Sequence, residues 1–221
     1  MKISVAIDGP AGAGKSTIAK ILAEKFDLMY INTGAMYRAV TLMAMRANIP
    51  STNIEELKKL LCTIEMHFEG DRLLVNGEDI SEFITLPEIS NNVSNYAAVP
   101  EIREILVMLQ KNIASKYNVL MDGRDIGTVV LKDAPFKFYL TASAEERANR
   151  RFKELKLKGL EVEYNNILEE IIKRDYIDMN REVTPLVKAN DAVEIDSSSL
   201  SILEVVEVMA TYIEKHLIKE N

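Results

Sequence analysis

The chain has 221 residues, 48% hydrophobic and 28% charged, which suits one domain with insertions or one domain and a lid. Its 27 lysines and arginines stand against 34 aspartates and glutamates, a formal net charge of −7 that argues against broad, nonspecific nucleic-acid binding while leaving room for a local basic pocket. A single cysteine, Cys62, excludes an intrachain disulfide, and two distant histidines, His67 and His216, are too few for a zinc site.

In chain order, the first expected element is a short β-type run, residues 2–7. It opens into Gly9-Pro10-Ala11-Gly12-Ala13-Gly14-Lys15-Ser16, which fits G-x-x-x-x-G-K-[ST] at every fixed position. A helix over 15–26 follows, with Ile18, Ala19, Ile21, Leu22 and Phe26 at helical spacing. Strand, glycine loop and helix together are the context of a P-loop. Its glycines let backbone N–H groups turn toward phosphates, and the helix start adds its positive end. Lys15 is expected at the β- and γ-phosphates, the Ser16 hydroxyl on Mg²⁺, and Thr17 at the same ATP-binding loop. This N-terminus does not read as a signal peptide, and no apolar run reaches the ~20 residues of a membrane span, so the cytoplasm is expected.

A strand over 28–31 and a helix over 34–47 come next. Residues 62–82 break the α/β rhythm: Thr63 to Phe68 alternates with period two, Glu69-Gly70-Asp71 separates it from Arg72 to Val75, and Asn76-Gly77 reads as a tight hairpin turn. A small antiparallel sheet is expected there, and Cys62 beside it reads as a buried structural thiol. Helix 100–116, strands 118–122 and 136–140, helices 143–157 and 163–180, strand 192–196 and helix 201–217 complete an alternating α/β pattern. The charged helices on either side of Gly159 suggest a movable lid, with a solvated hairpin as the plainer alternative.

A P-loop alone does not name a reaction. The N-K-x-D motif of GTPases is absent. The run Tyr117 to Asp122 ends in an aspartate suited to ordering Mg²⁺ waters, but Gly123 stands where a hydrolytic glutamate is usual, which points to an acceptor other than water. Four groups are candidates for holding that acceptor. They are Thr33 with Arg38; Ser94 with Arg103; Asp122-Gly123-Arg124-Asp125 at the end of a predicted parallel strand; and Arg174, Asp178 and Arg181 along one helical face. A helix cap, a plain Arg124–Asp125 pair and a surface ion-pair ladder are the structural alternatives.

In order and spacing, IDGPAGAGKST, INTGAMYR, NNVSNYAAVPEIRE, MDGRDIGTVV, SAEERANRR and RDYIDMNREVTPL resemble the bacterial cytidylate kinases across essentially the whole chain. The resemblance implies a P-loop NTPase-type three-layer fold with a five-stranded parallel sheet, a small antiparallel insertion and a helical lid. It implies one domain over 1–221, divided into core (1–33, 104–145, 182–221), monophosphate-binding region (34–103) and lid (146–181). It implies transfer of the ATP γ-phosphoryl group to CMP or dCMP with Mg²⁺, by a monomer without nucleic-acid or membrane partners. Thr33, Arg38 and Arg124 would hold the CMP phosphate; the family commonly has serine at Thr33, and the hydroxyl is kept. Ser94, Arg103 and Asp125 would read cytosine. Asp178 would bind the sugar side, with Arg181 near the phosphates. Arg174, Arg147, Arg150 and Arg151 would come from the lid onto ATP and the transferring group; Lys15, Arg124, Arg174 and Arg181 form the catalytic set. Ser16, and Asp122 through water, would bind the metal. Ser197 to Ser199 are adenine-pocket candidates by position. Another small-substrate P-loop kinase and a slow nucleotide-dependent switch remain the rival readings.

Overall fold

Five short strands lie parallel in the order β2-β6-β1-β7-β8: β1 (Ser4–Asp8), β2 (Met29–Asn32), β6 (Val119–Gly123), β7 (Phe136–Thr141) and β8 (Val193–Asp196). The computed structural model describes residues 2–70 and 72–219; Asp71, in the expected turn of the small sheet, lies outside them, as do Met1, Glu220 and Asn221. Strand β1 is central. It pairs with β6 from Ser4↔Val119 to Asp8↔Gly123 and with β7 from Val5↔Phe136 to Asp8↔Tyr139. Both faces are covered, so Val5, Ala6, Ile7, Val119, Leu120 and Met121 are all fully buried.

The period-two alternation of β1 divides its side chains between two cores. Val5 and Ile7 face α1 (Lys15–Lys25) and α8 (Ile202–Lys219), where Ile18, Leu22, Phe138, Val205, Met209 and Ile213 pack. Ala6 faces α2 (Thr33–Arg46) and α5 (Pro100–Lys116), with Met36, Val40, Ile102 and Leu106. The expected three-layer α/β architecture is present.

The small sheet is also present, as β3 (Met66–Glu69), β4 (Arg72–Val75) and β5 (Glu78–Asp79). Asn76 and Gly77 both have positive φ, 51° and 83°, as a two-residue type I′ connection requires. Its Leu73 and Val75 close a separate core with Ala39 and Leu42 of α2. The insertion thus braces the helix that carries Thr33 and Arg38.

Two helices escape the sequence reading. Helix α3 (Ile54–Leu61) presents only Leu57 and Leu61 as buried residues, too short a stripe to announce itself, although Asn53 caps it by accepting the Glu56 N–H at 3.3 Å. Helix α4 (Pro87–Ala97) is rich in Asn and Ser, which favour turns. Its Ile89, Val93 and Tyr96 still recur at helical spacing and are buried. Cys62 is a correction: it caps α3 beyond the last buried position and is exposed.

Helices α6 (Ala144–Leu157) and α7 (Tyr164–Asn180) form an antiparallel hairpin with a core of its own, Ala148, Leu155, Ile167 and Ile171. Gly159, at φ 75°, ends the first arm. Among the described residues, no helix is long and apolar enough to cross a membrane.

Candidate active site

The C-terminal ends of β1, β2 and β6 open onto one cleft, the edge at which open α/β sheets take ligands. From β1 the chain turns through Gly9, where a Cβ would lie 2.0 Å from the Leu140 carbonyl oxygen, so no other residue fits. Gly14, at φ 89°, stands before α1 with no side chain capping the first turn, which leaves N–H groups for an anion. Pro10 and Ala13 are buried in the loop, and Thr17 is exposed on α1. Lys15 donates from Nζ to the Pro10 carbonyl at 2.7 Å. Burial, and then the neighbouring Arg124, push its pKa well below the usual lysine value. The Ser16 hydroxyl donates to Asp122 Oδ2 at 2.8 Å, and the Tyr30 hydroxyl donates to Oδ1 at 2.8 Å.

Opposite the P-loop, Thr33 Oγ1 donates to the Asp122 carbonyl at 2.7 Å. Arg38 stands one turn further along α2, and a side chain at Gly34 would come within 3.3 Å of its guanidinium. The cleft is lined by six basic side chains, Lys15, Arg38, Arg103, Arg124, Arg174 and Arg181, against three acidic ones, Asp122, Asp125 and Asp178. That is a local surplus of three positive charges in a chain of net −7. Such a pocket is made for anions.

The adjacent Arg124 and Asp125 do not pair with each other. Arg124 Nε donates to Asp178 Oδ2 at 2.8 Å, and Ser94 Oγ donates to the other oxygen at 3.1 Å. Asp125 lies deeper, paired with Arg103 and 3.5 Å from Arg181 Nη2. The Arg103 guanidinium also lies 5.2 Å from the Tyr37 ring centre. Burial alone would raise the Asp178 carboxyl, but Arg124, Arg174 and Arg181 outweigh it and hold it below the usual range. Burial, and then Arg124, bring Arg174 down to about 10. The surface-ladder alternative fails, because Asp178 and Arg181 are both buried.

Three lining side chains carry buried polar atoms without a hydrogen-bond partner among the described residues: Tyr37 Oη, Arg174 Nε and Arg181 Nη2, the last in ion-pair range of Asp125 only. Burying such groups unpaired is costly, and a polar ligand would satisfy them.

The other hairpin arginines are differently employed. Arg147 is buried and faces inward, donating to the carbonyls of Ala142 and Ala11 at 3.0 Å each and to Asp175 at 2.6 Å. It braces the P-loop from behind. Arg150 donates to Ser197 Oγ at 3.3 Å, beside the P-loop, and to Glu146. Arg151 pairs with Glu154 at 2.8 Å. Of Ser197 to Ser199, only Ser197 is buried.

Two residues that sequence reasoning did not single out organise the site. Asp8, the last residue of β1, accepts the N–H groups of Ile126 at 2.8 Å and Gly127 at 2.7 Å, and so clamps the single π-helical turn 126–130 that follows Arg124-Asp125. Burial pushes its carboxyl up to about 6 despite those two N–H bonds. Its position immediately before the first P-loop glycine was the available signal. Thr184 lies past α7 with φ 48°, a left-handed conformation that costs a β-branched residue ~1–3 kcal/mol. Nothing in the sequence marks it.

Known proteins resemble the chain over nearly its full length. The chain is 65% identical over 217 residues to the cytidylate kinase of Clostridium acetobutylicum, covering 98% of this chain and all of that one. It is 63% identical over 213 residues to the cytidylate kinase of Clostridium perfringens, covering 96% and 98%. Among solved structures, shikimate kinase from Bacteroides thetaiotaomicron shares the fold, with TM-score 0.51, 13% identity and coverage of 97% and 99%. The sequence model of the cytidylate kinases matches residues 5–215, and with identities of this order over nearly the full length the chain belongs to the cytidylate kinase family.

Proposed function

We propose that the protein transfers the γ-phosphoryl group of ATP to CMP or dCMP, giving ADP and the corresponding diphosphate. The observation that carries this reading is the buried Arg103–Asp125 pair at the floor of a cationic cleft, facing a P-loop across it. ATP is assigned to the P-loop residues 9–17 with Arg150, and CMP to Thr33, Arg38, Ser94, Arg103, Arg124, Asp125, Asp178 and Arg181. The core, the monophosphate-binding region over 34–103 and the lid over 146–181 follow as its working parts, in a monomeric cytoplasmic enzyme.

The chemistry of each group suits its task. Cytosine offers an N4–H donor and N3 and O2 acceptors, so Asp125 can accept from N4 while Arg103 donates to the ring edge. Uracil reverses positions 3 and 4, and each buried mismatch costs roughly 1–3 kcal/mol. A phosphate monoester has its second pKa near ~6, so the attacking oxygen needs no general base at neutral pH. What remains is to orient two anions and cancel their repulsion. Lys15 leaves the Pro10 carbonyl for phosphate oxygens, and Arg124, Arg174 and Arg181 converge on the transferring group. Ser16 and Asp122 present hard oxygen donors 2.8 Å apart, a set that fits Mg²⁺. Bound there with the nucleotide, the metal supplies charge neutralisation at the phosphates. Closure of the lid excludes water as a competing acceptor.

A coupled ADP-release assay across CMP, dCMP, UMP and AMP tests the reading. CMP and dCMP are expected to be fastest. Faster turnover of UMP or AMP would overturn the base-reading assignment, and ADP release independent of any acceptor would favour a hydrolytic switch.

A further inference from the structure

We propose that Thr184 is a positioning residue for pyrimidine recognition: from one strained point after α7 it fixes both guanidiniums that flank Asp125. The inference rests on the acceptor reading above and deepens it.

Four described non-glycine residues have positive φ: Asp27, Asn48, Asn76 and Thr184. Asp and Asn tolerate that region because their short polar side chains bond locally; threonine, branched at Cβ, is the outlier. Such a conformation persists only where surrounding contacts over-determine it, and Thr184 has such contacts. Its hydroxyl accepts from Arg103 Nε at 2.6 Å, and its carbonyl accepts from Arg181 Nε at 2.7 Å. Two residues on, the Leu186 N–H donates to the Asp178 carbonyl at 2.8 Å and ties the loop back to the end of α7.

The consequence is geometric. Arg103 belongs to α5 and Arg181 follows α7, and both turn their Nη2 edges toward Asp125. Two like charges this close, both buried, need restraint on more than one side. Asp125 restrains them from the cleft, and Thr184 holds both Nε atoms from behind. Arg103 has a further anchor, Nη1 to the Ala97 carbonyl at 3.1 Å, whereas Arg181 Nη2 has no hydrogen-bond partner. With Nε held, that Nη2 is kept in a fixed direction, 3.5 Å from the Asp125 carboxylate. Thr184 therefore ties the end of the α6–α7 hairpin to the residue placed at the cytosine edge. The hydroxyl matters for Arg103, and the left-handed backbone matters for aiming the carbonyl at Arg181.

Three variants of the full chain separate these parts: T184S keeps the hydroxyl, T184V keeps the shape without it, and T184G removes it while relieving the backbone. The readouts are KM and kcat for CMP and UMP, CMP affinity by calorimetry, and Tm. A hydrogen bond to a charged group predicts a rise of about tenfold or more in KM and Kd for CMP in T184V and T184G, with a fall in CMP-over-UMP preference of similar order and KM for ATP within about twofold. T184S should stay within about threefold of the parent chain, and T184G should melt above T184V although it binds CMP no better. Folded T184V and T184G that bind CMP within about twofold of the parent would overturn the inference, as would T184S impaired as much as T184V. If the parent chain fails to phosphorylate CMP, the acceptor reading itself falls; if it succeeds and the variants match it, only the role of Thr184 falls.

Discussion

Replacing Asp8 by asparagine should make the protein more stable at neutral pH and less active. The carboxyl is 3% exposed, and burial raises it from an ordinary 3.8 to about 6. Because the folded value lies above the unfolded one, the group's contribution to stability is fully present below pH ~4 and is lost as pH rises through about 6. A rise of a little over two, at ~1.4 kcal/mol for each pH unit, puts that loss at roughly 3 kcal/mol. Asparagine cannot ionise and escapes it. It can accept from only one of the Ile126 and Gly127 N–H groups, however, and turns its own N–H toward the other. The turn bearing Arg124 and Asp125 then loses an anchor, and kcat/KM for CMP should fall about tenfold or more. Paired urea denaturation of parent and D8N from pH 4.5 to 7.5 at fixed ionic strength is the assay. The stability difference should move in favour of D8N by about 2 kcal/mol across that range, the rest of the loss lying below pH 4.5. A flat difference, or one moving against D8N, would refute the electrostatic account of this strand end.

Arg124→Ala should lower kcat/KM for CMP by ~10²–10³ while the chain stays folded by circular dichroism, since Asp178 keeps Ser94 and lies beside Arg174; near-normal activity would remove Arg124 from the site. Asp125→Asn should narrow the CMP-over-UMP preference about tenfold in a substrate panel. It should also cost ~3 kcal/mol in denaturant unfolding, because Arg103 and Arg181 lose their shared counter-charge. Arg147→Met should destabilise by ~3–5 kcal/mol, by stranding Asp175, and should raise KM for ATP by freeing the Ala11 carbonyl; adding Asp175→Asn should recover part of the stability but not the ATP affinity.

The P-loop was legible because its requirement is local: four fixed positions within eight residues say which must be glycine, lysine and serine. The same holds for β6, found within a residue of 118–122, because a strand buried on both faces leaves a continuous apolar run; the edge strand β2, found within a residue of 28–31, is only partly buried but still carries an apolar run. What the sequence concealed is direction. Arg147, Arg150 and Arg151 look alike in SAEERANRR, yet one braces the P-loop, one binds Ser197 and one pairs with its own helix. Helical rotation of about 100° per residue separates them, and only the packed neighbours say which way is inward. The pairing of Arg124 with Asp178 rather than with Asp125 has the same origin, since the two neighbours leave the chain in different directions just after β6. Asp8 and Thr184 were hidden because each acts through bonds to residues remote in sequence or through a dihedral angle, and neither leaves a compositional trace.

The placing of β1 between β6 and β7 bears on how the protein is made. The ribosome delivers this strand before either neighbour, and both of its hydrogen-bonding edges wait for partners on the order of a hundred residues further along. At ~5–20 residues per second that is roughly 5–20 s of synthesis. During that interval a run of Val, Ala and Ile, followed by a glycine-rich segment that cannot hold itself in shape, lies bare on the nascent chain. Slow codons or a scarce chaperone should therefore harm the yield of this protein more than its finished stability would suggest.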